Sequence, residues 1–165
     1  MSPKTYLCFI ILAIVAVGDG QPEGKGKGYG LFTDFGITYT VVNNAVTPHF
    51  ANVFAGTLSL RRGDSTKLID IMDDIADINE AFSYESITYP ELGKFITTIN
   101  GQSQVPEKKL YWLVFRETKD EEGDPTRCYL PVGASTYEPK SGESIVWELM
   151  EWDKAIPTCD GGSHD

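Results

Sequence analysis

Asp73-Asp74-Ile75-Ala76-Asp77 spells the DDxxD pattern that holds magnesium diphosphate in terpene cyclases. Carboxylates four residues apart on a helix share a face and can hold a hard cation between them. The same aspartates also fall away from the apolar positions Leu68, Ile71, Met72 and Ile75, as the solvated face of an amphipathic helix must. That pattern serves large all-helical enzymes, and this chain is neither large nor helical throughout, so a passive acidic face is expected. Arg62-Gly63-Asp64 spells an integrin-recognition tripeptide. It reads equally as a strand-to-helix turn, with Gly63 bending the chain and Asp64 or Ser65 capping the helix.

Nucleophilic chemistry has little to work with. His49 is the sole histidine away from the C-terminal end, where His164 lies. No G-x-S-x-G run occurs, and no Ser-His-Asp or Cys-His arrangement is supported. Carboxylates are plentiful, but none stands in a recognisable catalytic context. The expectation is a protein that is not an enzyme and holds no resident metal. Trp112, Trp147 and Trp152 could each contact a ligand, though tryptophan more often fills a core or covers a sheet.

The elements that would position these residues are readable in outline. Leu68, Ile71, Met72, Ile75 and Ile78 follow the i, i+3, i+4, i+7 spacing of one helix face and predict a helix from Ser65 to about Ile78. Strands are predicted at Ile37–Val42, Val53–Leu60, Phe82–Thr88, Phe95–Ile99, Tyr111–Phe115 and Ser144–Trp152, where β-branched and aromatic residues concentrate. Asn43-Asn44 reads as turn material, and Asn100-Gly101 is a strong turn signal. Tyr111–Phe115 is apolar on both faces, so it should be an interior strand. Within it, Leu113 and Phe115 are expected to face the core, leaving Trp112 and Val114 on the other side. These elements predict an α+β single domain, one helix packed on a mostly antiparallel or mixed β-sheet, over residues 37–152.

Composition sets the surroundings. Residues 1–20 read as a secretory signal: Lys4, then the apolar stretch Tyr6–Val17, then Gly18-Asp19-Gly20 for cleavage. Twelve apolar residues are too few to span a bilayer. The glycines and lysines of residues 21–36 predict a flexible leader, and residues 153–165 a tail. What remains is long enough for one domain with its own core. The formal net charge is −10, which disfavours nucleic acid and anionic membrane surfaces as partners. Cys8 leaves with the signal, and Cys128 and Cys159 are expected to pair in an oxidising compartment. A zinc site would need more ligands.

One ordered set of motifs resembles a known family. Ser65-Thr66-Lys67-Leu68, Gly93-Lys94-Phe95-Ile96-Thr97-Thr98-Ile99-Asn100, Tyr111-Trp112, the spacing of Leu130, Gly133 and Tyr137, and Pro139 followed by Gly142-Glu143-Ser144-Ile145 resemble the C-terminal domain of the cobalamin carriers, the family of transcobalamin, intrinsic factor and haptocorrin. The resemblance runs from about Ile37 to Trp152. It implies a secreted, non-enzymatic binding protein whose ligand is cobalamin or a related corrinoid. It also implies that Ile96, Thr97, Thr98, Trp112, Val114, Leu130 and Pro131 lie against that ligand, and that a helical-domain protein or a receptor is a further partner. The rival reading is a secreted protein–protein module of the same fold that does not take the vitamin.

Overall fold

Two long strands, β1 (Phe32–Asn43) and β2 (Phe50–Arg61), open the structure as an antiparallel hairpin paired over its whole length, from Phe32 opposite Arg61 to Asn43 opposite Phe50. The computed structural model describes residues 32–61, 63, 66–152 and 156–159. The predicted signal, most of the leader, Asp64, Ser65 and part of the tail lie outside the described residues. β1 begins within the stretch read as leader.

The hairpin is closed by Asn43, a fully buried side chain that makes four hydrogen bonds to the loop it begins. Its Nδ2 donates to the carbonyls of Val46 and Pro48 at 2.9 and 2.8 Å. Its Oδ1 accepts from the amides of Ala45 and Val46, each at 3.2 Å. An asparagine has capacity for about this many bonds, so nothing on it is left unpaired.

Helix α1 (Leu68–Ile78) follows. Ile78, expected on the apolar stripe, is 64% exposed at the helix end, whereas Leu68, Ile71, Met72 and Ile75 are buried as the spacing predicts, together with Ile69. Each such side chain contributes roughly 1.5–3 kcal/mol of transfer free energy. The helix starts three residues later than predicted. The side chain of Lys67, at the cap position, has no oxygen to offer the amides of Leu68 and Ile69. They donate instead to a distant loop, Leu68 N to the Tyr137 carbonyl at 2.8 Å and Ile69 N to the Ala134 carbonyl at 3.0 Å.

Strands β3 (Tyr84–Tyr89), β4 (Gly93–Ile99) and β5 (Gln102–Ser103) form a sheet of their own, in that order. Asn100 and Gly101 both have positive φ, 51° and 73°, in the turn between β4 and β5, where asparagine and glycine are the residues that tolerate it. Strands β6 (Leu110–Lys119), β7 (Pro125–Tyr129) and β8 (Ser144–Glu151) complete the first sheet, ordered β2-β1-β8-β6-β7. β8 lies parallel to β1 and antiparallel to β6.

This corrects the expected class. The described residues are mostly strand, with one helix and two sheets, so the fold is β-rich and is not a helix laid on a single sheet. The tight turns at 90–92 and 100–101 fold β3, β4 and β5 back on one another as a separate sheet. One face of the five-stranded sheet, α1, and Ile96 and Ile99 of the second sheet share the main core. The opposite face carries a smaller cluster of Val42, Leu113, Phe115 and Val146, against which Tyr129, Trp152 and Ile156 pack. Cys128 and Cys159 are bonded, as expected. Closing a loop of that length stabilises a fold by roughly 3–4 kcal/mol in the chain-entropy model. The bond holds residues 156–159 on β7, where Tyr129 N donates to the Pro157 carbonyl at 2.8 Å.

Candidate functional site

The loop from Leu130 to Tyr137 builds the site. Gly133 accepts from the amides of Thr136 and Tyr137, at 2.9 and 3.0 Å, and so curls the loop. The curl presents the carbonyls of Ala134 and Tyr137 to α1, as above. It also presents the Ser135 hydroxyl, which accepts from Lys94 N at 2.8 Å. The loop therefore grips the start of β4 from one side and the start of α1 from the other.

Gly93 is what allows that grip. Its φ is +80°, in the region that favours glycine. A Cβ placed there would lie 2.5 Å from Ser135 Cβ and 2.6 Å from its Oγ. Gly93→Ala is expected to destabilise the protein by about 1–3 kcal/mol, from strain and overlap together. In a Ser135→Gly background, which also loses the Lys94 bond, adding Gly93→Ala should cost less than it does in the wild type, by the overlap part, in thermal melts. Equal costs in the two backgrounds would show that Ser135 is not what excludes the methyl.

A third tether joins the second sheet to the helix. The Tyr84 hydroxyl donates to Asp73, and Lys94 Nζ lies 3.4 Å from the other Asp73 oxygen. Burial, then the bond to Asp73, pushes the Tyr84 hydroxyl well above its ordinary pKa, so it stays a donor. Asp73 of the DDxxD run is thus structurally engaged. Among the described residues, no three His, Cys, Asp or Glu side chains converge as a metal site.

Between the β3–β4 turn and this loop lies an open cleft of about 540 Å³. Its apolar lining comes from Tyr89, Leu92, Phe95, Pro131 and Val132, with Glu91, Lys94 and Thr136 at the polar positions. These apolar side chains are unusually exposed for their size: Leu92 by 76%, Tyr89 by 45%, Phe95 by 44% and Val132 by 39%. Tyr89 and Phe95 meet edge to face, with ring centroids 6.3 Å apart. Exposed apolar side chains scattered singly are ordinary, but a contiguous set on a concave, braced surface makes a candidate binding site. A second cleft, of about 410 Å³, is lined by Arg116, Glu117, Lys119 and Glu143 among others. Its charges largely serve one another: Arg116 lies 3.9 Å from Glu143, and Glu117 pairs with Arg127 at 2.7 Å. It lacks the exposed apolar floor of the first.

The residues proposed from the sequence fall mainly in the core, with one at the cleft. Ile96, Thr98, Trp112, Val114 and Leu130 are all buried, between 3% and 6% exposed. Ile96, Trp112, Val114 and Leu130 meet in the main core with α1. Thr98 Oγ1 lies 3.2 Å from Ser103 Oγ on β5. Thr97 is half-buried, and its hydroxyl donates to the Glu85 carbonyl at 3.3 Å. Pro131 is the one residue of the seven that lines the cleft. Side chains along β6 alternate as expected, but with the faces exchanged. α1 lies over Trp112 and Val114, while Leu113 and Phe115 are covered by Trp152 and residue 156. Tyr89, Leu92, Phe95 and Val132 were not singled out by sequence reasoning. The available signal was Leu92 between Pro90 and Gly93, an apolar residue set in a turn where it has no core to enter.

No protein-family model matches the chain, and no curated protein matches it. Among solved structures it is similar to haptocorrin in complex with Cbi, at 16% sequence identity and a TM-score of 0.49, over 76% of this chain and 27% of that one. It is also similar to a structure described as a "putative metal binding protein from Ruminococcus gnavus ATCC 29149", at 20% identity and a TM-score of 0.46, over 72% of this chain and 99% of that one. The chain therefore spans about a quarter of the haptocorrin chain that it resembles.

Proposed function

We propose that this is a secreted, non-enzymatic binding protein for cobalamin or a related corrinoid, held in the cleft beside the 130–137 loop. The observation that carries the reading is the set of exposed apolar side chains, Tyr89, Leu92, Phe95 and Val132, on a surface braced at Gly93 and Ser135. A corrin is a broad, partly apolar ring fringed with amides. It calls for an open apolar floor with polar groups at the margin, more than for a deep enclosed pocket. The cleft has that form, with Glu91, Lys94 and Thr136 beside the apolar residues. The ordered motifs from Ser65 to Ile145 that resemble the cobalamin carriers support the same ligand. An open cleft covers one side of such a ring, which leaves the other side for a second surface, such as a helical-domain partner.

Equilibrium dialysis against cobalamin tests the proposal. The wild-type chain is expected to bind and to take on the red colour of the vitamin. Leu92→Ser and Phe95→Ser should each weaken binding about tenfold or more, by analogy with apolar hot spots. Both side chains are largely exposed, so circular dichroism and melting should change little. Protein that stays colourless and unbound in excess cobalamin would overturn the reading. One observation favours the protein–protein alternative in that event. Ile87, 51% exposed, sits opposite Phe95 in the β3–β4 pair, so the apolar surface continues past the cleft onto an edge strand.

A further inference from the structure

The two edges of the five-stranded sheet are unlike. At one edge β7 is five residues long, starts at Pro125, carries Arg127, and has Tyr129 bridged to Thr158 beside the disulfide. Short length, proline, charge and a covering segment are the usual means of blocking an edge. At the other edge β2 is twelve residues long and, among the described residues, pairs as a strand with β1 alone. From Phe50 to Leu60 it contains no charged residue and no proline. Its register with β1 runs through without a shift, so no bulge turns it aside. Ala51, Val53, Ala55, Thr57 and Ser59 are exposed along one face, and Val53 is 53% exposed. On the other face Phe50 and Phe54 are half-buried at the margin of the main core.

We infer that β2 pairs antiparallel with β2 of a second copy of this chain, joining the two sheets into one of twice the width. Self-complementarity selects the occupant. With a net charge of −10, two copies repel across most approaches. The stretch 50–60 is a strip along which they can meet with no like charges opposed. A strand lacking charge offers a foreign segment no electrostatic address, whereas a twofold axis supplies its own complement. An axis beside Ala55 sets Phe54 opposite Gly56, a large side chain against none, and Val53 opposite Thr57, a β-branched pair suited to a sheet. It also covers the open flanks of Phe50 and Phe54. A single strand pair is a small interface, so the dimer is reversible.

Sedimentation equilibrium from about 5 µM to about 500 µM tests this, within the range of weak interfaces. The wild-type chain is expected to shift from monomer to dimer across that range. Ala55→Lys and Val53→Lys place a charge on the exposed face beside the axis, and each should raise the dissociation constant at least tenfold. Circular dichroism and melting confirm that each variant folds, and either suffices if the other does not. Leu92→Asp, in the cleft, should leave the dimer intact. Three outcomes would overturn the inference: a monomer throughout, a dimer that survives both lysine variants, or a dimer abolished by Leu92→Asp.

Discussion

Trp112→Ala will destabilise the fold by about 3–5 kcal/mol, as large aromatic truncations in a core do. The indole is 5% exposed and lies in the main core with α1. Its ring packs on Phe50, with centroids 6.4 Å apart. Its Nε1 donates to the Gln102 carbonyl at 2.9 Å, which ties β6 of one sheet to β5 of the other. Truncation removes the packing and leaves the carbonyl without that donor. Trp112→Phe keeps most of the bulk and should cost about 1–2 kcal/mol, the worth of the bond and some shape. Urea unfolding of both variants measures the difference. If Trp112→Ala melts like wild type yet fails to bind cobalamin, Trp112 belongs on a ligand face after all.

The second large effect is expected at Asn43. Asn43→Leu keeps the volume of a fully buried side chain and removes four hydrogen bonds at once. The amides of Ala45 and Val46 and the carbonyls of Val46 and Pro48 then lose their partner. Ala45 and Pro48 are exposed and water can reach them in part. The net loss should be about 2–4 kcal/mol, below the sum of four buried unsatisfied groups. Asn44→Leu, one residue on and exposed, should change stability by less than about 0.5 kcal/mol. Guanidinium unfolding of the pair measures both. Equal effects would mean that the loop is shaped by its backbone and not by Asn43.

These two residues show what was legible in the sequence. The stripe on α1 was plain because Leu68, Ile71, Met72 and Ile75 repeat with the period of a helix. β1, β4, β6 and β8 were recognisable from their β-branched and aromatic content, and Asn100-Gly101 from its turn chemistry. Pairing was not recognisable. Periodicity says which residues share a face, not which strand lies alongside, and β1 finds β8 about a hundred residues away. The separation into two sheets was hidden for the same reason. In β6 both faces are apolar, so Trp112 with Val114 and Leu113 with Phe115 were equivalent until the positions of α1 and residue 156 were known. The cleft was hidden more deeply. Phe95 and Val132 are of the residue types that fill cores, and only the loop's curl at Gly133 and the bonds from Ala134, Ser135 and Tyr137 to remote partners leave them outside.

Loops are where related proteins usually gain and lose residues, because little depends on their length. The stretch from Leu130 to Tyr137 cannot drift in that way. Four consecutive duties are counted off along it: Leu130 N bonds Val114, Ala134 bonds Ile69, Ser135 bonds Lys94, and Tyr137 bonds Leu68. An insertion of one residue would put at least one of these out of step, and the first turn of α1 or the start of β4 would be left unsatisfied. The turn at 120–124, held chiefly by Asp120 to its own neighbours, makes no such remote bond among the described residues and can lengthen freely. Across any lineage that keeps this fold, length should vary at 120–124 and stay fixed at 130–137, although both are surface loops rich in turn residues.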